Sequence, residues 1–390
     1  MVDLRCVEAG GVDTDLFEHT FDLQADDAVH PCPGCESQQQ VIGLHTRTGP
    51  AAAPAVIATE VVLPRVVEPS GLQLRRRTLA PPATGEAMVR VEASGVSFAE
   101  QSMRRNRYPG QPKFPFVPGY DLVGTVASIG AGVDPGQIGT RVAALTKTGG
   151  WAGHALVPAA DLVPVPRGVD PAEAETLVVN GLTAWQMLHR KAAIQSGQTI
   201  VVHGANGGVG TTLVQLARPA GVRVIGTASP RHHAALRELG AEPIDYNDSD
   251  LAARVRELAP NVFDHVGGPT LQSSYAMLAP KGTLVSYAIA SMGDTGSLYA
   301  AFGKHMARLT RWNLTPNGHK ATFYNVWGGL RVRPAQFRQR LHDDLTRVFD
   351  LLANGVLTAQ VAARLPLNRA AAAMELAGSR TAFGKVVLTA

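Results

Sequence analysis

Cysteine is missing from Glu36 to the end of the chain. The three present, Cys6, Cys32 and Cys35, all fall in the first tenth of its 390 residues. Everything after them therefore holds no disulfide, no Cys-ligated zinc and no catalytic thiol. No run of 18 or more apolar residues occurs, so no transmembrane helix is expected. The N-terminus carries Asp3, Glu8, Asp13 and Asp15 and no compact apolar stretch, which argues against a secretory signal and for a reducing cytoplasm. Charge of one sign is scarce too. A net +4 is small for this length and points to a mildly basic solvated surface with no nucleic-acid partner. What is there, 45% hydrophobic and 17% charged residues, suits a folded chain of more than one core.

Four stretches follow one another. Residues 1–54 read as a flexible extension ending in the linker-like Gly49-Pro-Ala-Ala-Ala-Pro-Ala55. Within it, Cys32-Pro-Gly-Cys35 near His30 could be half of a metal site or a redox pair, but it lacks a second ligand pair and no βαβ pattern surrounds it. From 55 to 175 the pattern is one of short strands with frequent Gly and Pro turns: Ala58–Leu63, Ala87–Ala93, Leu122–Ser128 and Arg141–Leu145. That pattern predicts a compact β-rich unit. From 176 to 320 helix and strand alternate. Strands are expected at Thr199–His203, Val222–Gly226, Asn261–His265 and Gly282–Tyr287, with helices at Ala172–Leu188, Val209–Leu216 and Arg231–Leu239. This α/β order predicts a doubly wound parallel sheet. Residues 321–390 end in a strand-like Gln360–Leu365, an Ala-rich helix at 369–377 and the strand Lys385–Leu388, which suggests a return to the β-rich unit.

The central motif is His203-Gly-Ala-Asn-Gly-Gly-Val-Gly210, between a predicted strand and a predicted helix. Ala205, Gly207 and Gly210 occupy the three glycine positions of the dinucleotide fingerprint, and Asn206, Gly208 and Val209 complete the turn. Gly207 lets a pyrophosphate approach the backbone, and Gly210 lets the helix pack on the strand. The helix N-terminus offers free N–H groups and a partial positive charge. The second strand selects the dinucleotide. No acidic residue occurs between Gly210 and Glu238, whereas Ser229, Arg231 and His232 follow that strand. An acid would hold ribose hydroxyls; these groups suit a 2′-phosphate, so NADPH is the expected cofactor.

Further motifs occur in order: Glu92-Ala-Ser-Gly-Val-Ser-Phe-Ala-Glu100, Tyr108-Pro109, Pro115-Phe-Val-Pro-Gly-Tyr-Asp121, Gly181-Leu-Thr-Ala184, Phe263-Asp-His-Val-Gly-Gly268 and Gly384-Lys-Val-Val-Leu388. From Val56 onward the chain resembles the zinc-free quinone oxidoreductases of the medium-chain dehydrogenase/reductase superfamily. Pro316–Trp327 is similar to the branch containing the synaptic-vesicle protein VAT-1 homologues. The resemblance implies a GroES-like catalytic domain, an inserted Rossmann domain, a cleft between them and a homodimer. It further implies that Thr183, Val266 and Gly267 line the nicotinamide side, that Tyr246 lies by the adenosine phosphate, and that Tyr287 borders the cofactor. The zinc-dependent members bind metal where this chain has Ser97 and Gly119-Tyr-Asp121, and neutral Ser and Tyr are poor zinc ligands. Two departures concern local geometry: Pro219 should shorten or kink the first Rossmann helix, and Leu258–Phe263 is a few residues shorter than the family's approach to its third strand.

Without a Lewis acid, hydride transfer requires an acceptor activated by conjugation, a quinone or an α,β-unsaturated carbonyl, and the product needs charge stabilisation and a proton. Tyr108, at the Tyr-Pro position where related enoyl reductases carry a catalytic tyrosine, is the candidate donor; a packing tyrosine is the alternative. Ser97 is the second candidate, either bonding cofactor or substrate or serving as a small structural residue. Phe98, Tyr120, Phe323, Tyr324 and Trp327 are candidate pocket walls, although core or dimer packing is the commoner fate of such aromatics. The basic-aromatic stretch Lys304–Arg340 reads as a solvated amphipathic face more readily than as a membrane contact. Three functions fit: a general reductase of conjugated acceptors, a pathway-specific enoyl reductase, and a non-catalytic NADPH-binding protein.

Overall fold

The computed structural model describes residues 55–256, 258–268, 270–288 and 297–390. Cys6, His30, Cys32, Cys35 and most of the Ala/Pro-rich linker lie outside the described residues.

The first part is β-rich. Asp121–Ile129 lies between Glu86–Val96 and Arg141–Leu145, with antiparallel pairing on both sides. Val163–Pro164 extends that edge, and His154–Pro158 pairs with the start of Glu86–Val96. Alternation explains the register. Ala87, Val89 and Val91 point inward onto Leu122, Val126 and Val142, and each Val or Leu so buried contributes about 1.5–3 kcal/mol. The C-terminal strand Lys385–Thr389 closes antiparallel onto Ala93–Val96, with Val361–Pro366 parallel beside it. The end of the chain thus completes the sheet that its beginning opened.

One strand had no signature in the hydrophobic pattern. Gln73–Leu79 pairs with Val56–Val62, yet all but Leu79 of it is exposed. Arg75 and Arg77 reach across that ribbon to the buried carboxylate of Glu60.

The second part is one parallel sheet of six strands: Thr199–His203 (β1), Arg223–Ala228 (β2), Ala241–Asp245 (β3), Ala259–Asp264 (β4), Leu278–Ser286 (β5) and Lys320–Phe323 (β6). Their order is β3-β2-β1-β4-β5-β6, all parallel. In such sheets the strand order reverses between β1 and β4, and a ligand crevice opens beyond the strand ends there. β3 contains Pro243, which an edge strand tolerates. β6 runs across the boundary expected at 320, so the nucleotide sheet extends at least to Phe323.

Three helices position the site. Phe98–Arg104 (α1) is short and closed by a capping box of Ser97 and Glu100. Pro171–Trp185 (α2) starts with Pro at its first position. The Asp170 carboxylate accepts from the N–H groups of Ala172 and Glu173, each at 3.0 Å. Nearly every residue from Ala172 to Ala184 is buried, because α2 lies between the first sheet, the helix Pro334–Ala353 and Gly208–Ala217 (α3). α3 ends at Ala217, two residues before Pro219, as a ring that cannot donate an N–H requires. The pairing of β4 with β5 has a register irregularity between Ala259 and Asn261. Among the described residues no helix is long and apolar enough to cross a membrane.

Candidate active site

A single cleft of about 2100 Å³ runs past the C-terminal ends of β1 and β4 into the β-rich domain. Of the sixteen residues expected to bind the cofactor or to act in catalysis, fourteen line it; Ala205 and Gly267 lie behind its wall.

At the nucleotide end the chain leaves β1 at His203 and turns into α3. Gly207 is the N-cap of α3, and no side chain caps the helix, so its first-turn N–H groups are free at the positive end of the dipole. The face of Gly207 is open: a Cβ there would meet nothing nearer than the Gly204 carbonyl oxygen at 3.4 Å. Gly210 is the opposite case. A Cβ would stand 2.4 Å from that same oxygen and 2.7 Å from Ala205 Cα, so strand and helix approach there as only glycine permits. Ala205 is wholly buried and packs against Gly226 of β2.

Ser229, Arg231 and His232 follow β2 into the cleft, and Tyr246 joins them from the end of β3. Arg231 Nε donates to Ser229 Oγ at 3.4 Å. His232 Nε2 is buried without a hydrogen-bond partner, and burial, reinforced by Arg231, pushes this imidazole down toward the neutral form. The returning chain supplies the facing wall, including Ser379 and Arg380. The Gly384 N–H donates to the Asn206 carbonyl at 2.9 Å, tying that wall to the glycine-rich turn. Arg380 was invisible to sequence reasoning because only the closure of the C-terminal strand brings it beside residues some 150 positions earlier.

In the middle, Thr183 of α2, Val266 after β4 and Tyr287 after β5 line the cleft. Asp264 shapes this wall from behind. One carboxylate oxygen accepts from the N–H groups of Val266 (2.7 Å) and Gly267 (2.9 Å), and the other from the Ser274 hydroxyl (2.8 Å). Burial opposes the Asp264 charge, but the facing His203 ring and the Gly267 N–H outweigh it and hold the carboxyl below its ordinary range. Burial pushes the His203 imidazole down, against the Asp264 charge that favours its protonated form.

At the far end stand Ser97, Tyr108, Tyr120 and Trp327. The Ser97 hydroxyl is hydrogen-bonded to Glu100 and accepts from the Ala99 N–H at 3.1 Å, so its bonding capacity goes into the cap of α1. Glu100 is wholly buried, and burial raises its carboxyl above the ordinary range. Its other oxygen accepts from the Tyr120 N–H at 2.7 Å. The Tyr108 and Tyr120 hydroxyls are 2.5 Å apart, and Trp327 Nε1 donates to Tyr120. Burial raises both phenols, Tyr120 more than Tyr108. Tyr120 and Trp327, expected only as walls, are thus hydrogen-bonded to the candidate donor. Of the other expected walls, Phe98, Phe323 and Tyr324 also line the cleft. Tyr324 is buried and donates to Gln186 Oε1 at 3.0 Å.

At the two positions where a zinc ligand would be expected, the Ser97 hydroxyl caps α1 and burial raises the Tyr120 phenol well above its ordinary value, so neither offers a metal an anionic donor.

Residues 83–167 match the family model of the alcohol dehydrogenase GroES-like domain, and residues 239–388 that of the zinc-binding dehydrogenase. The chain is 35% identical to the human synaptic vesicle membrane protein VAT-1 homologue over 229 residues, 57% of this chain and 58% of that protein. It thus spans less than two thirds of that relative's length. It is similar to a Pseudomonas aeruginosa quinone oxidoreductase at 33% identity over 330 residues, 82% of this chain and 96% of that enzyme. The crystal structure of Escherichia coli quinone oxidoreductase complexed with NADPH superposes with a TM-score of 0.75 at 26% identity, covering 85% of this chain and all of that one. Shared sequence over almost the whole of a bacterial quinone oxidoreductase, on the same two-domain fold, means that the chain belongs to the quinone-oxidoreductase family of medium-chain dehydrogenases/reductases.

Proposed function

We propose that this protein is an NADPH-dependent reductase of conjugated acceptors, quinones or α,β-unsaturated carbonyls, acting without zinc and as a homodimer. One observation carries the reading: a continuous cleft joins the uncapped end of α3 to the Tyr108 phenol. The NADPH complex of the E. coli relative supports the cofactor. The residues present fit it. Asn206, Gly207, Gly208, Val209 and Gly210 line the cleft at this turn; the open face of Gly207 and the uncapped first turn of α3 suit a pyrophosphate. The unpartnered His232 Nε2, with Ser229, Arg231 and Arg380, suits a 2′-phosphate. Tyr246 flanks the adenosine side. Thr183, Val266 and Tyr287 border the nicotinamide, with Gly267 behind them fixing the turn.

Bound there, NADPH would supply a hydride. The chain's own groups do the rest. Tyr108 presents a phenol to the cleft, able to hydrogen-bond the acceptor's oxygen and to give it a proton. Ser97 anchors α1 beneath it and holds Glu100 in place. A phenol hydrogen bond polarises a carbonyl less than a metal ion does, which favours acceptors that conjugation already activates.

The test is NADPH consumption with a 1,4-quinone, a linear enone, a 2-alkenal and a simple ketone, each with and without a zinc chelator. Turnover of the conjugated acceptors alone, unchanged by chelator, supports the reading. Loss of activity with chelator, or turnover of the ketone, overturns it.

A further inference from the structure

The Tyr120 hydroxyl has no part in the reading above, yet it stands between two other polar groups. Tyr120 is 4% exposed, and among the described residues its oxygen lies within hydrogen-bond distance of two groups, Trp327 Nε1 and the Tyr108 hydroxyl. An indole nitrogen only donates, so the Tyr120 oxygen accepts from Trp327. Among the described residues the one acceptor then left for Tyr120's own hydrogen is the Tyr108 oxygen, and a buried hydroxyl hydrogen is not left unbonded without cost. Tyr120 therefore donates to Tyr108. With its oxygen occupied on that side, Tyr108 turns its hydrogen away from Tyr120, toward the cleft that it lines.

The scaffold holds this direction. Beyond its N–H bond to Glu100, the Tyr120 carbonyl accepts from the N–H groups of Thr146 (2.9 Å) and Lys147 (3.0 Å). The rings meet edge-on, Tyr108 against Tyr120 at 5.7 Å and 79°, and Tyr120 against Trp327 at 5.8 Å and 67°. Trp327 follows β6 of the nucleotide sheet, so the chain of bonds runs from that part of the molecule across to the β-rich domain.

We propose that Trp327 and Tyr120 form a one-way hydrogen-bond relay that aims the Tyr108 hydroxyl hydrogen at the bound acceptor. Both are positioning residues that act through Tyr108, the group that gives up the proton. The inference rests on the proposed reductase reading. In the step served, the acceptor has received the hydride pair from NADPH, the Tyr108 O–H bond breaks, and its proton goes to the acceptor. The Tyr120 O–H then bonds the phenolate left behind, and solvent returns a proton to it. The same geometry makes Tyr108 the phenol that ionises first. Burial raises it, but the bond received from Tyr120 lowers it, whereas Tyr120 is raised both by burial and by the bond that it gives.

The test compares Tyr108→Phe, Tyr120→Phe, Trp327→Phe and the Tyr108→Phe/Tyr120→Phe double variant in the full chain, each checked for an unchanged melting curve. Tyr120→Phe removes one oxygen, and Trp327→Phe removes the head of the relay by an independent route. The relay predicts that each lowers kcat about tenfold with KM held within about twofold, and that Tyr120→Phe has no further effect once Tyr108 is replaced. A readout without turnover uses 4-nitrophenolate, an oxyanion mimic, against neutral 4-nitroanisole. Tyr120→Phe should weaken the phenolate about tenfold and leave the anisole alone. Full kcat in Tyr120→Phe, or an equal loss with and without Tyr108, overturns the relay. If Tyr108→Phe itself keeps full kcat, the proposed proton donor is wrong; if it loses kcat while Tyr120→Phe does not, the relay alone is wrong.

Discussion

Replacing Gly207 and Gly210 one at a time by alanine separates nucleotide binding from folding. Gly207 has φ −79° and ψ 167°, a conformation that any residue adopts, and its Cβ position is clear of protein to 3.4 Å. Alanine is a poorer N-cap than glycine but restricts the unfolded chain, so the net change in stability should stay within about 1 kcal/mol. The new methyl would project over the free N–H groups of α3. Losing one charge-assisted hydrogen bond to a phosphate costs about 1.5–3 kcal/mol, or about 10- to 150-fold in NADPH Kd. Gly210→Ala places its Cβ 2.4 Å from backbone oxygen and 2.7 Å from backbone carbon, neither of which can step aside as a side-chain end can. Overpacking of that kind costs about 1–3 kcal/mol and should appear in a urea melt. Fluorescence titration with NADPH, paired with the melts, reads both. A Gly207→Ala protein that melts normally and binds NADPH as tightly as before would refute the placement of the pyrophosphate.

Three further outcomes follow from the charges. Arg231→Ala should weaken NADPH about tenfold and leave NADH unchanged, and the NADPH preference should narrow as salt rises; parallel titrations with both nucleotides check this. Lys385→Met should destabilise the fold by about 3–5 kcal/mol in a denaturant melt, because it leaves Asp121 and Glu175, both wholly buried, without the ammonium that each contacts at 2.8 Å. Glu175→Gln should cost little at pH 5 and stabilise increasingly as pH rises. Burial, then the Asp121 charge beside it, raises the Glu175 carboxyl well above its ordinary 4.5, so the folded chain keeps a proton that the unfolded chain gives up. Its contribution is complete below the unfolded pKa and lost as pH rises through the folded one, a slope that the amide removes; melts across that range would show it, and parallel curves for both proteins would contradict it.

The elements legible in the sequence are those whose periodicity is set by burial on a known face. Arg141–Leu145 and Thr199–His203 fall where alternation and β-branched runs put them, and Pro219 stops α3 as its missing N–H demands. Gln73–Leu79 carried no signal, since a strand held by arginines reaching to one buried carboxylate leaves no apolar alternation. β3 was hidden by the proline that its edge position tolerates. At the cleft the glycine turn could be read because its chemistry is contiguous in sequence. Arg380, and the bonding of Tyr120 to Trp327 some 200 positions away, could not, because such pairs exist only after the sheets close. Ser97 shows the converse: its commitment to Glu100 was legible in the Ser-x-x-Glu spacing of a capping box but went unread.

The central claim is that the cleft delivers hydride to a conjugated acceptor without a metal to polarise a carbonyl. The most direct measurement is the position of deuterium in the product after reduction of a linear enone with NADPH fully deuterated at the nicotinamide C4. The account predicts label on the carbon β to the carbonyl. Label on the carbonyl carbon, or a reduced product that carries none, would contradict it.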